Sequence, residues 1–122
     1  MGDETEVRKF LHEIKETITK PVAGCQSWVL VRRRDNKECM VELGFKYHDI
    51  YETMLGLSVE DYCAGPCKDK DQPGDVWIFG KIIENKNIYI KMKLASFGPL
   101  RVVRIISFHF AKDPLDYPFR KE

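Results

Sequence analysis

The segment Ile88-Tyr89-Ile90-Lys91-Met92-Lys93-Leu94 alternates apolar and polar side chains without a break. A period of two marks a strand with one buried face, so Ile88, Ile90, Met92 and Leu94 are expected in a core and Tyr89, Lys91 and Lys93 on the opposite side. Two more runs rich in β-branched and aromatic residues flank it, Asp75 to Ile83 and Arg101 to Phe110. They are separated from it only by Glu84-Asn85-Lys86-Asn87 and Ala95-Ser96-Phe97-Gly98-Pro99, and connections this short favour an antiparallel meander. Hairpin register decides which residue of the first run joins Tyr89: an odd loop length brings Lys81 to that face, an even one Gly80. The third run has apolar residues at both parities, so it reads as a central strand covered on both faces, and the side taken by His109 stays open.

Working back toward the N-terminus, Val7, Phe10, Leu11, Ile14 and Ile18 recur at helical spacing between Thr5 and Thr19, after a capping-box pattern Asp3-x-x-Glu6 and before Pro21. One amphipathic helix is expected there. Ser27-Trp28-Val29-Leu30-Val31 reads as a short strand that ends in Arg32-Arg33-Arg34. Asp35-x-x-Glu38 reads as the start of a second helix with Cys39, Met40 and Leu43 on one face and Gly44 as its stop. A third helix is expected from Tyr47 to Leu55, burying Ile50, Tyr51 and Met54, with Gly56 at its end, and Ser58-Val59-Glu60-Asp61 has the form of a capped turn leading into Tyr62. The run from Ala64 to Gly74 reads as loop, and the tail from Asp113 to Phe119 as an extended segment pinned by Tyr117 and Phe119. The fold class that follows is α+β: N-terminal helices packed on a twisted antiparallel sheet, formed by the C-terminal three-strand meander and one short N-terminal strand.

Length and composition fit a single domain spanning 1–122: 122 residues, 43% of them hydrophobic and 32% charged, with a net charge of +1. No stretch approaches the roughly 20 apolar residues that cross a bilayer, and Met1-Gly2-Asp3-Glu4-Thr5-Glu6 is acidic where a secretion signal is basic. The expectation is a cytoplasmic protein without a membrane partner, whose cysteines stay reduced. Charge is unevenly spread: residues 1–74 hold 11 Lys/Arg against 14 Asp/Glu, and residues 75–122 hold 9 against 5. The basic excess therefore falls on the strand-rich half, as a weak pointer to a polyanion. Walker, Gly-x-Gly-x-x-Gly, Gly-x-Ser-x-Gly and His-Glu-x-x-His motifs are absent from the chain. Cys63-x₃-Cys67 has zinc-knuckle spacing, but Cys25 and Cys39 form no second pair and Cys39 falls on an apolar helix face, so neither a metal nor another cofactor is expected.

Five ordered motifs carry a resemblance: Asp61-Tyr62-Cys63-Ala64-Gly65-Pro66 after Leu57-Ser58, Trp77-Ile78-Phe79-Gly80-Lys81, Tyr89-Ile90-Lys91, Ser107-Phe108-His109 and Tyr117-Pro118-Phe119. Together they resemble a divergent branch of the MqsR family of toxins from type II toxin–antitoxin pairs, and the match covers about residues 28–119. The resemblance implies a small RelE-like ribonuclease fold and metal-independent endoribonuclease activity on messenger RNA. It also implies neutralisation by a cognate antitoxin, in a homodimer or a toxin–antitoxin hetero-oligomer. Of the catalytic positions of the best-known members, the tyrosine falls on Tyr89 and a lysine after Ser-Phe is replaced by His109. A second lysine falls near Ala64 and a glutamine at Ile78, so neither of those is kept.

Metal-free RNA cleavage uses the neighbouring 2′-hydroxyl as nucleophile and needs a base, an acid and cations around the phosphorane. Histidine titrates near neutral pH and serves either proton role. The expected catalytic set is therefore His109 as general acid or base, Tyr89 as its partner or a phosphate donor, and Lys81 and Lys91 as electrostatic stabilisers. Lys93, Arg101 and Arg104 are expected to contact phosphates and Trp77 to stack on a base, with Trp77 as a core residue the competing reading. His12 and His48 read as surface residues. A non-catalytic RNA- or protein-binding module on the same fold is the alternative function.

Overall fold

The computed structural model describes residues 2–121. Its first element, α1 (Glu4–Thr19), begins with the anticipated capping box, in which the Glu6 amide donates to the Asp3 carboxylate at 2.8 Å, and buries Val7, Phe10, Leu11, Ile14 and Ile18. Two shorter helices follow strand β1 (Trp28–Leu30): α2 (Arg34–Leu43) and α3 (Tyr47–Leu55). Gly44 ends α2 at φ 69°, a left-handed value that a Cβ would penalise. A single 3-10 turn over Val59–Asp61 then delivers the chain into the rest of the sheet, as the Ser58-x-x-Asp61 pattern anticipates.

Four strands complete that sheet: β2 (Tyr62–Lys68), β3 (Asp75–Ile83), β4 (Lys86–Phe97) and β5 (Leu100–Phe110). They lie in the order β1-β5-β4-β3-β2. The C-terminal meander is as expected, but two features correct the antiparallel four-strand reading. First, β1 runs parallel to β5, with Val29 beside Arg104, so the sheet is mixed. Its direction follows from the chain between them: a strand returning through helices and further strands is free to run either way, unlike one returning through a tight turn. Second, the segment around Gly65-Pro66, read as loop, is the edge strand β2, paired with β3 across two register irregularities. An edge strand tolerates a proline and a bulge because one side of its backbone needs no ladder partner.

The core fills the space between the helices and one face of the sheet, with Ile14, Ile50, Met54, Phe79, Ile90, Met92, Ile105 and Phe108 essentially inaccessible. Cys39 is among these buried residues, as its place on the apolar helix face implies. One polar side chain reaches into this layer. Asn36 of α2 donates to the Val31 and Ile106 carbonyls at 3.0 and 3.1 Å and accepts from the Phe108 amide at 2.8 Å. It thereby ties α2, the end of β1 and an irregularity in β5 together.

The opposite face of the sheet carries no helix among the described residues. The tail after β5 crosses part of it instead, and the close approach explains Gly80: a Cβ there would lie 2.4 Å from the Tyr117 hydroxyl and 2.6 Å from Leu115 Cδ1. Tyr117 donates to the Asn87 amide oxygen at 2.9 Å, and Phe119 stacks on Tyr62 with ring centroids 5.4 Å apart. Arg120 then reaches the buried Asp61, which Lys81 also meets at 3.2 Å. Tyr117 and Phe119 pin the tail as expected. No helix among the described residues is long and apolar enough to cross a membrane.

Candidate functional site

Two backbone details decide what the helix-free face displays. The β3–β4 hairpin closes through Glu84 and Asn85, both at positive φ (52° and 64°), which is the two-residue turn whose twist matches the strands. That even loop pairs Gly80 with Tyr89 and Lys81 with Ile88. Lys81 consequently lies on the helix side, ion-paired to Asp61, and is not brought to Tyr89. The second detail is a register shift between β4 and β5: Lys91 pairs with Ser107 but Met92 pairs with Ile105. One extra residue, Ile106, inverts the side-chain parity of β5 from there back toward its start. Arg104 is thereby placed on the Tyr89 face, and Arg101 on the helix side, where it meets Glu13 of α1 at 2.6 Å.

Of the residues singled out by sequence, four are displayed on the helix-free face: Tyr89, Lys91, Arg104 and His109. Tyr89 and His109 are directly opposite each other on β4 and β5, with rings stacked at 5.3 Å and 17° between planes. His109 Nδ1 contacts the Phe110 carbonyl at 3.0 Å. A carbonyl can only accept, so this bond places a proton on Nδ1 and leaves Nε2 for exchange with a ligand. Burial, reinforced by the nearby Cys63 and Cys67 thiols, holds the Tyr89 pKa above its ordinary 10, so the hydroxyl stays protonated and donates near neutral pH. Lys91 lies one pair further along, about 7 Å from Tyr89 at the usual strand rise. Among the described residues neither Lys91 nor Arg104 has an acidic side chain within ion-pair distance, and both are partly exposed.

The other expected contacts are displaced. Trp77 is a core residue, stacked on Phe10 at 4.5 Å and 12°, and offers no plane to a base. Lys93 has the right parity but is buried under the β2–β3 connection, where it donates to Asp69 at 2.9 Å and to the Pro73 carbonyl at 2.7 Å. A buried lysine already neutralised by a carboxylate has no charge to spare for a phosphate. His12 and His48 are exposed, each within 3.6 Å of a glutamate one turn along its own helix, at 3.5 and 3.6 Å respectively.

The Asp69 carboxylate accepts from the Asp71 amide and from Lys93, and these bonds hold its pKa down at about 2, from an ordinary 3.8. A depressed carboxyl pKa contributes stability that is present above the unfolded value and lost as pH falls through the folded one. Asp69→Asn is therefore expected to be less stable than the parent protein at pH 7, with the difference shrinking as pH falls from about 4 to about 2. Chemical denaturation across that range checks it, and a difference independent of pH would mean the carboxylate is not the stabilising group.

Sequence reading missed the border of this face. Ala64 pairs with Ile78, and Ile78 pairs with Lys91, so the two positions at which the resemblance places a lysine and a glutamine are adjacent here, on the same face as Tyr89, and apolar. Tyr117 covers Gly80 directly beside Tyr89, a contact that glycine within a strand could have signalled. Cys63 and Cys67 come near Tyr89, with burial pushing the Cys63 thiol up to about 11. Among the described residues no three His, Cys, Asp or Glu side chains converge as a metal-binding group.

The fold and face define an α+β domain with a five-stranded mixed sheet, helices on one side and a stacked Tyr–His pair beside Lys91 and Arg104 on the other. Comparison with protein-family models, curated proteins and solved structures finds no match to this chain.

Proposed function

We propose that this protein is a cytoplasmic ribonuclease toxin that cuts messenger RNA on the helix-free face of its sheet, without a metal, and is neutralised by a cognate antitoxin protein. The observation that carries the reading is the stacked Tyr89–His109 pair on a face where Lys91 and Arg104 have no acidic partner. The motif resemblance supplies the class of reaction and the antitoxin, in a homodimer or toxin–antitoxin hetero-oligomer. The face offers that chemistry a histidine, a protonated tyrosine and two cations.

In this scheme the RNA 2′-oxygen attacks the adjacent phosphorus, its proton passing to a base, while the 5′-oxygen leaves with a proton from an acid. The products are a 2′,3′-cyclic phosphate and a 5′-hydroxyl. His109 Nε2 carries one of the two proton transfers and solvent water the other. Tyr89, kept protonated by burial, donates a hydrogen bond to a non-bridging phosphate oxygen, Lys91 offsets charge on the phosphorane, and Arg104, paired with Lys93 further along the strands, contacts a flanking phosphate.

The test is incubation of the purified protein with defined single-stranded RNA in excess EDTA, followed by mapping of the cut ends. Cuts ending in 2′,3′-cyclic phosphate are expected, with His109→Ala slowing them by roughly 10²- to 10⁴-fold. Lys81→Ala should leave the rate within a few-fold, because Lys81 faces the helices. Equal cutting by the parent and His109→Ala proteins would remove His109 from the mechanism. A second reading, RNA binding without cleavage, is favoured by the apolar Ala64–Ile78 pair beside Tyr89. Retention of RNA without cut ends, and expression that leaves cell growth untouched, would establish it in place of the first.

A further inference from the structure

The opposite end of the sheet holds a groove of about 930 Å³ between the free edge of β1 and the α2–α3 corner. Its floor is apolar: Leu30, Met40, Val41, Phe45 and Tyr47 line it, and Val41 and Tyr47 remain 74% and 61% exposed. Its rim is cationic. Arg32, Arg33, Lys37 and Lys46 line it with no acidic partner among the described residues, whereas Arg34 is tied to Glu38 at 3.1 Å. Among the described residues, no aspartate or glutamate lines the groove.

The strand edge adds a directional element. Ser27 accepts from the Val103 amide and Val31 donates to the Ile105 carbonyl, both at 2.9 Å, so odd-numbered residues of this segment face β5. By alternation the N–H and C=O of Leu30 point outward. Neither has a partner outside the sheet among the described residues, whereas the neighbouring outward carbonyl of Trp28 is taken by the Gln26 side chain at 2.7 Å. The sheet's other edge, β2, carries Pro66 and two register irregularities that blunt it against further pairing. Among the described residues, the β1 edge is thus the one left with a bare backbone site beside an apolar floor.

We infer that this groove binds an extended acidic peptide segment of a partner protein, which adds beside β1 through Leu30, seats alternate apolar side chains on Val41, Phe45 and Tyr47, and places carboxylates against Arg32, Arg33, Lys37 and Lys46. Strand addition supplies main-chain hydrogen bonds, alternate side chains supply specificity, and the rim selects charge. A nucleic acid fits less well, because a strand edge pairs with peptide groups, not with ribose and phosphate. A second copy of this chain would set the arginines flanking β1 against each other. Leu30 faces the helix side of the sheet, beside Ile105, so this site is separate from the Tyr89 face and independent of the cleavage reading.

The probe is a display library of random twelve-residue peptides panned on the full-length protein, with a fluorescent U-rich RNA decamer titrated in parallel. Recovered peptides are expected to be net acidic with apolar residues at alternate positions, to shift the Leu30 amide resonance, and to lose about tenfold or more in affinity on Arg32→Glu/Arg33→Glu. Val41→Asp, an exposed change that spares the core, should weaken them similarly while thermal unfolding stays unchanged. Peptides without acidic bias, peptides indifferent to both variants, tighter binding of the RNA decamer through Arg32 and Arg33, or a dimer abolished by Val41→Asp would each overturn the inference.

Discussion

Asn36→Ala is expected to destabilise the protein by about 3–5 kcal/mol, read as a lower midpoint of urea unfolding with an unchanged slope. The side chain is 1% exposed and satisfies two carbonyls and one amide of the surrounding backbone. Alanine leaves all three without partners, and each buried, unsatisfied backbone group costs about 1–3 kcal/mol. The location sharpens the expectation. Ile106 is the extra residue that inverts parity along β5, and Asn36 bonds to the backbone on either side of the Ser107 that follows it. Amides of β1 and of β5 near the irregularity should therefore exchange faster in the variant, while those of β3 should change least. Lys37→Ala, one residue on and exposed, is expected to stay within about 0.5 kcal/mol of the parent. A loss under about 1 kcal/mol for Asn36→Ala would show that water replaces the side chain and that the irregularity holds without it.

Tyr62→Ala should cost a similar amount, about 3–5 kcal/mol, and should also release the C-terminal tail. Tyr62 is fully buried, lies edge-on to Trp77 and Phe79 at 6.2 and 5.9 Å, and stacks on Phe119 at 5.4 Å. Its hydroxyl donates to the Gly65 carbonyl and accepts from the Gly2 amide. Truncation removes the ring that anchors Phe119, leaving the tail to be held by Tyr117 on Asn87 and Arg120 on Asp61. Limited proteolysis should cut within 113–121 sooner than in the parent protein. Tyr62→Phe keeps the rings and should cost only about 1–2 kcal/mol with the tail still protected. Equal protection in the alanine variant would mean that the hydroxyl and charge contacts hold the tail unaided. Release of the tail also exposes Gly80 and, with it, the flank of Tyr89; the Tyr89 pKa, raised by burial, should then move back toward its ordinary value.

The same asymmetry between local and distant causes runs through the candidate site. The resemblance-bearing segment Leu57-Ser58-x-x-Asp61-Tyr62 is accounted for structurally: Ser58 donates to Asp61 at 2.9 Å, Asp61 receives Lys81 and Arg120, and Tyr62 is core. The four groups displayed on the helix-free face, by contrast, all come from β4 and β5, and which arginine joins them depends on a single extra residue. Without the irregularity at Ile106, Arg101 would share the parity of His109 and Arg104 would not. With it, the two arginines exchange sides.

What the sequence determined by itself is what short-range geometry encodes. The five apolar residues of α1 and its capping box lie within single turns of one another, and the alternation from Ile88 to Leu94 needs no distant partner, so both are legible as periods of 3.6 and 2. The tight β3–β4 and β4–β5 connections likewise dictate antiparallel pairing. Only the tertiary structure decided the rest: that β1 runs parallel to β5, that Gly65 and Pro66 belong to an edge strand, that Lys81, Lys93 and Arg101 are consumed by Asp61, Asp69 and Glu13, and that Trp77 is core. Each of these depends on a partner distant in sequence, up to 88 residues away, or on the register of a strand pair, where one residue turns every side chain to the other face. Local pattern states which residues can form a face; long-range pairing selects which of their charges remain free on it.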